Sequence, residues 1–122
     1  MAQLGAYQAT ITFGSTPVSV GAALIAAGMV GSGNQPSVFM RRLTIQPLRA
    51  NTALAWINVG SPSTTPTVNA TNFFKELAIP QAGTPLDIWD DAASGSDHSI
   101  DVGVYYVQGT SGQGCVVGAF TI

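Results

Sequence analysis

Short segments of alternating apolar and polar residues recur along this chain, and each segment ends at a cluster of turn-forming residues. Residues 7–13 and 40–48 predict two such strands, because their apolar side chains recur with a period of two and so share one face, as Leu43 and Ile45 do in the second strand. Clusters of Gly, Ser, Asn and Pro separate such segments at intervals of roughly 8–12 residues. This pattern predicts an all-β fold, namely a single β-sandwich or jelly-roll-like barrel of about seven or eight short antiparallel strands.

The remaining segments of the chain complete the prediction. Ala22–Met29 is compatible with a helical turn or a loop, since its alanine content favours a helix only weakly. Ser61–Thr71 is polar and predicts a long loop, Asp90–His98 predicts an acidic turn, and Gly109–Gly114 predicts a hairpin loop joining the last two strands. The other expected strands are residues 18–20, 54–59, 73–79, 86–89, 100–106 and 115–120.

The length of 122 residues suits one domain, so we expect a single β-sandwich over residues 1–122, with residues 1–6 as a candidate flexible arm. The single cysteine, Cys115, cannot form an intrachain disulfide and is expected to be a small buried apolar residue. The only extended apolar run, residues 18–30, is interrupted by glycines and is shorter than the ~20 residues that cross a bilayer. The sequence therefore predicts no membrane partner and synthesis in a cytoplasm.

Charge is scarce in this chain. Only 8% of the residues are charged although 46% are hydrophobic, whereas an ordinary soluble domain is roughly 25% charged. The net charge of −2 gives no basic field that could hold nucleic acid. A surface made of neutral polar residues can be buried against another protein with little ion desolvation, so we interpret the composition as that of a protein in an assembly. Neutral lectin-like sandwiches are the alternative, because some of them are also poor in charge.

The order of these segments resembles a family of small β-sandwich virion proteins from tailed bacteriophages. The resemblance extends over most of residues 7–122, and the segments that carry it are Gly14–Val18, Arg42–Thr52, Trp56–Gly60, Leu77–Ile88 and Val104–Val107. Family members of this kind are capsid decoration or cement proteins, or small accessory proteins of the head and tail. The resemblance implies a fold of this sandwich type and a structural role without catalysis.

The resemblance also implies partners and a location. A decoration protein stabilises the phage head by binding the major capsid protein on the capsid surface, after synthesis in the host cytoplasm. Self-association is expected, with a homotrimer preferred because such proteins commonly occupy threefold positions. One alternative is a tail or receptor-binding accessory module with a carbohydrate site, and another is a major subunit of a different symmetric shell.

Arg41 and Arg42 are the candidate interface residues. They are two of only four basic residues and stand side by side at the start of the best-patterned strand. Neighbouring strand residues face opposite ways, so one arginine is expected in solvent and the other at the edge of the core or of an interface. Arginine suits carboxylate pairing between subunits. A merely solvated strand edge fits the same pattern equally well.

Trp89, Tyr105 and Tyr106 are the candidate surface aromatics. Aromatic faces can stack on sugars, and one of the two adjacent tyrosines is expected to point outward because strand residues alternate. Core packing is the competing interpretation, and it is favoured for the tryptophans Trp56 and Trp89 because large aromatic residues dominate the cores of sandwiches.

An acidic cluster with the only histidine is the remaining candidate for chemistry. Its residues, between Asp90 and Asp101, could ligate a cation, since carboxylates and imidazole are suitable ligands. The spacing does not fit an EF-hand and favours a turn in which Asp caps backbone amides. No nucleophile-elbow or phosphate-loop motif occurs, so we predict no enzyme activity and assign no catalytic residue, metal ligand or cofactor.

Overall fold

A computed structural model of the protein describes residues 6–28, 39–92 and 100–120. These residues form ten strands, one α-helix and one short 3-10 helix. In chain order they are β1 (Ala6–Thr12), β2 (Val18–Ser19), α1 (Val20–Ala26), β3 (Phe39–Met40), β4 (Arg42–Pro47), β5 (Ala55–Val59), β6 (Lys75–Leu77), β7 (Trp89–Ala92), β8 (Ile100–Asp101), the 3-10 helix Val102–Val104, β9 (Tyr105–Gln108) and β10 (Gly114–Phe120).

The strands pair as a long antiparallel ribbon. The first strand pairs with the last, β2 with β9, β3 with β8, β4 with β7, and β5 with β6, so the connection between β5 and β6 is the apex of the ribbon. The ribbon folds over, which brings β10 beside β4 and β9 beside β5. The result is two four-stranded sheets: the first sheet has the order β1-β10-β4-β7, and the second has the order β2-β9-β5-β6.

This strand order is that of a jelly-roll sandwich. The all-β prediction is confirmed, and eight of the strands make up the two sheets. The sheets pack face to face without closing into a barrel, so of the two predicted architectures the sandwich describes the molecule.

Period-two alternation sorts the side chains of both sheets. Leu43 and Ile45 of β4 are fully buried while Arg42 is exposed, as predicted for that strand. β5 and β9 contribute the facing layer of the core. Burial of large branched side chains from both sheets supplies the main stabilisation of such a fold. The fully buried side chains on the inner faces of the two sheets include Leu43, Ile45, Ile57, Leu77, Val107, Cys115 and Val117.

Helix α1 closes one end of the core. Ser19 caps it, because its Oγ accepts a hydrogen bond of 3.2 Å from the Ala22 backbone N–H. Val20 and Leu24 of the helix are fully buried. The sequence is compatible with either a helix or a loop over residues 22–29. The structure has a helix that begins earlier, at Val20, so the prediction that Val20 is a strand residue is wrong.

Two predicted connections are wrong. The segment Gly109–Gly114 does not form a hairpin, because β9 belongs to the second sheet and β10 to the first. This segment crosses between the sheets, and Gly109 lies so close to the buried Phe13 ring that a Cβ there would be 2.5 Å from it. Asp90 and Asp91 are strand residues of β7 rather than part of a turn. Sequence spacing alone cannot distinguish a hairpin from a crossing, since both use the same turn residues.

The structure also bears on the predicted N-terminal arm and on Cys115. Ala6 is a paired residue of β1 opposite Phe120, so it does not belong to an arm; residues 1–5 lie outside the described residues. Cys115 is buried and unpaired, as expected. Burial raises the pKa of the Cys115 thiol to about 12.

Candidate functional site

Arg42 is held by a carboxylate of its own chain. Its Nε and Nη2 donate to the two carboxylate oxygens of Asp90, at 3.1 and 2.6 Å. These residues face each other across the outer face of β4 and β7, and both side chains remain about half exposed. The hydrogen bond from Arg42 lowers the pKa of Asp90. The guanidinium also lies 5.7 Å from the centre of the Phe120 ring.

Arg41 lies on the bend before β4, because the strand begins at Arg42, two residues later than predicted. Its backbone N–H donates to the Phe120 carbonyl at 2.8 Å. Both arginines are exposed, so neither lies at the edge of the core, which was one of the two expected positions for the second arginine. Arg42 already has a charged partner, and contact of either arginine with another subunit stays a prediction.

Tyr106 is not a surface aromatic residue. It is only 4% exposed, and its hydroxyl donates to the Ser61 carbonyl at 2.7 Å. Tyr106 faces outward from β9, as one of the tyrosine pair was expected to do. The long loop between β5 and β6 folds back over it, and this cover is a tertiary feature that strand alternation does not reveal.

Trp89 and Tyr105 are half-buried and pack against the core at the edge of the sandwich. Their ring centres are 5.0 Å apart, and the Tyr105 hydroxyl donates to Asp91 Oδ2 at 2.7 Å. Burial, together with this hydrogen bond, raises the pKa of Tyr105. Phe74 contacts Trp89 edge-on, with ring centres 5.9 Å apart. These rings fill a gap between the sheets and do not form the flat platform on which a sugar would stack.

An exposed apolar surface surrounds this aromatic cluster, and we call it the apolar edge. It consists of Val59, Phe73, Phe74, Ile88 and Trp89. Phe74 is 56% exposed, and Val59 pairs across the strands with Tyr105. The sequence predicts a strand over residues 73–79, whereas β6 covers only Lys75–Leu77. Two adjacent phenylalanines cannot both face the core of one strand, and that dipeptide was the signal available in the sequence.

The acidic cluster does not converge in the part of the chain that the structure describes. Asp90 faces outward to Arg42, whereas Asp91 faces inward to Tyr105. Asp101 caps the 3-10 helix, accepting from the Gly103 N–H at 3.0 Å. The described residues contain no group of three or more potential metal ligands. Asp97, His98 and the neighbouring serines fall in segment 93–99, which lies outside the described residues.

A shallow pocket of about 300 Å³, lined by both polar and apolar residues, lies on the outer face of the first sheet. Gly118 is at its centre, between Gln8 of β1 and Thr44 of β4 in one row across the strands. Gln46 and Phe120 stand in the neighbouring rows. The strand pattern of the sequence does not predict this pocket. Its only local signal was Gly118 within a strand of larger residues, a position that often marks a close approach or a depression.

The fold places the chain in the class of all-β jelly-roll sandwiches. No family model, curated protein or solved structure matches it. Among the described residues, no helix is long and apolar enough to span a membrane.

Proposed function

We propose that this protein is a non-enzymatic structural protein of a virion, a capsid decoration protein that binds the major capsid protein on the surface of a phage head. It self-associates, and a trimer is the preferred state. Jelly-roll sandwiches are common in viral capsid proteins and also in lectins, so the fold is compatible with this role but does not select it.

The observation that carries the proposal is the apolar edge. Its members Val59, Phe73, Phe74 and Ile88 are each more than 40% exposed, and Phe74 contacts Trp89. Isolated exposed apolar residues are ordinary, whereas a group of them marks an interaction surface. Association would cover these side chains and the short edge strands β6 and β7 beside them. An edge with unpaired backbone groups is itself favourable for contact with another chain.

The low charge of the chain supports the same conclusion. Burying a surface of this composition desolvates few ions, so apolar contacts are not offset by a large electrostatic cost. Symmetry repeats each contact many times over a shell, and weak individual contacts then become effective together. None of this requires catalytic residues.

The test is the mass of the chain in solution and its binding to capsids. Light scattering at micromolar concentration should give a mass above the 12.5 kDa of one chain, and the protein should copurify with intact capsids at a fixed stoichiometry. Phe74→Asp should shift the mass towards the monomer and weaken capsid binding at least tenfold, or about 1.4 kcal/mol.

Thr10→Asp is the matched control, because it adds the same charge on the exposed outer face of β1, away from the apolar edge. It should leave mass and binding unchanged. The double variant Arg41→Ala/Arg42→Ala examines the second candidate interface, where a similar loss of binding would place the capsid contact at the arginines. A monomeric wild-type chain that does not bind capsids would contradict the proposal.

A further inference from the structure

We infer that the pocket around Gly118 is a binding site for one ring of an uncharged saccharide. The inference does not depend on the proposed capsid role. It concerns residues other than Trp89, Tyr105 and Tyr106, the aromatic candidates for sugar binding. Those aromatic residues pack against the core, whereas this pocket opens to solvent on the opposite side of the first sheet.

The pocket exists because Gly118 lacks a side chain in the middle of an outward-facing grid. A Cβ at Gly118 would lie 3.0 Å from Thr44 Oγ1 and 3.7 Å from the Phe120 ring, so these groups are its immediate walls. Gln8 flanks Gly118 on the other strand, and Val116 lies two residues away on the same face. Strands hold these positions rigidly, which reduces the ordering that a ligand must impose.

The polar groups of the pocket are available. Gln8, Thr44 and Gln46 make no side-chain hydrogen bond to any of the described residues. Each glutamine amide offers a donor pair and an acceptor, and the hydroxyl of Thr44 offers both. Adjacent hydroxyls of a sugar require such mixed donors and acceptors. Phe120 and Val116 add apolar walls against which the C–H groups of a sugar ring can pack.

The charge of the pocket favours an uncharged ligand. Arg42, which lies beside the lining residue Phe120, is paired with Asp90 by two hydrogen bonds. The same guanidinium lies over Phe120 and supports this wall. An anion would have to compete with Asp90 for Arg42, and a purely apolar ligand would strand three polar side chains without water. A neutral polyhydroxy ligand avoids both costs.

The size of the pocket limits the ligand to about one sugar ring. Its volume of about 300 Å³ is at the lower end of the range for small-molecule sites. With few hydrogen bonds and an open mouth, the expected dissociation constant is about 1 mM.

The test is an amide NMR titration of the full chain with five neutral probes: glucose, galactose, mannose, rhamnose and N-acetylglucosamine. Each is added to about 100 mM, a hundredfold above the expected dissociation constant. At least one probe should produce saturable shifts of the Gly118 backbone amide and of the side-chain amides of Gln8 and Gln46. The spectra themselves show that each variant is folded.

Two variants and one control then locate the site. Gly118→Ala fills the pocket floor, and Gln46→Ala removes one amide; each should weaken binding at least tenfold. Gln81→Ala changes the same residue type on an exposed turn outside the pocket and should leave binding unchanged. No saturable shift with any of the five probes overturns the inference. So does saturable binding that Gly118→Ala and Gln46→Ala leave intact.

Discussion

The two sheets present very different outer faces. On the outer face of β1-β10-β4-β7, Gln8 and Thr10 are exposed and a shallow pocket lies around Gly118. The outer face of β2-β9-β5-β6 is covered at its centre by the loop between β5 and β6, so that Tyr106 is buried there. Strands of both sheets alternate in the same way, and their inner faces share one core.

The cover of the second sheet is held by specific contacts. Asn58 of β5 donates to the Thr67 carbonyl at 2.9 Å, and Val68 of the loop is buried. Gly60 permits the loop to turn back at the end of β5, since a Cβ there would lie 2.7 Å from Pro66 Cδ. Asn69 Oδ1 accepts hydrogen bonds from the Thr71 and Asn72 backbone N–H groups, which fixes the far end of the loop.

This difference shows why the position of a loop in the ribbon matters. The loop between β5 and β6 is at the apex, and it has enough residues to fold back on the sheet it has just left. The described connections at the other end of the ribbon cross between the sheets, and Gln8 and Thr10 on the outer face of the first sheet are exposed. A ligand can therefore reach one face of the sandwich, and the other face is occupied by the protein's own loop.

Thiol reactivity should give the largest contrast. Thr10→Cys on the open face should react with a thiol reagent at pH 8 at the rate of an exposed thiol. Val68→Cys, at a buried position of the loop, should react about tenfold more slowly. Native Cys115 should be slower than Thr10→Cys by a factor of about a thousand or more, because its pKa of about 12 leaves little thiolate at pH 8.

Labelling followed by mass spectrometry measures these rates, and the wild-type chain supplies the Cys115 background. After unfolding in denaturant all three thiols should react at similar rates. Equal rates for Thr10→Cys and Val68→Cys in the folded protein would mean that the loop does not pack on the second sheet.

A pair of glycine substitutions should produce a smaller contrast, in stability. Gly60→Ala forces a Cβ against Pro66 and the Thr64 carbonyl, and overpacking of this kind costs about 1–3 kcal/mol. Gly118→Ala on the open face meets the Thr44 hydroxyl at 3.0 Å, which can rotate away. Alanine is also favoured over glycine in a strand by about 0.5–1 kcal/mol, so the net change there should be close to zero.

Urea denaturation measures both free energies of unfolding. The amide spectrum should also report the displaced loop in Gly60→Ala and not in Gly118→Ala. If the two variants were equally stable, the close packing of the loop on the second sheet would be wrong.

The smallest effect is expected for the ion pair on the open face. Arg42 lowers the pKa of Asp90, so the folded state favours the carboxylate form. The resulting stabilisation is present above the ordinary carboxyl pKa of about 4 and is lost as the pH falls through the lowered value. Because both side chains are solvent-exposed, screening keeps the effect small.

Denaturation midpoints of the wild type and Asp90→Asn, measured from neutral to acid pH, test this sign. The difference between them should shrink as the pH falls, and Arg42→Gln should reduce it at neutral pH. A difference that grows on acidification would show that Arg42 does not stabilise the Asp90 carboxylate.

Local sequence patterns predict the strand content of this protein well. The alternation over residues 42–48 correctly gives the inward Leu43 and Ile45 and the outward Arg42, because side-chain direction along a strand depends only on the backbone period. Turn residues likewise mark where most strands end. The scarcity of charge, and the assembly proposal that begins from it, are also properties of the sequence itself.

Which strands pair with each other is decided only by the tertiary structure. Gly109–Gly114 has the composition of a hairpin but crosses between sheets, since the last strand finds its partners more than sixty residues away in β4 and more than a hundred away in β1. The burial of Tyr106, the inward direction of Asp91 and the pocket at Gly118 follow from that long-range pairing. Sequence determined which face each residue occupies on its strand; the folding of the ribbon determined what covers that face, because coverage is set by residues distant in the chain.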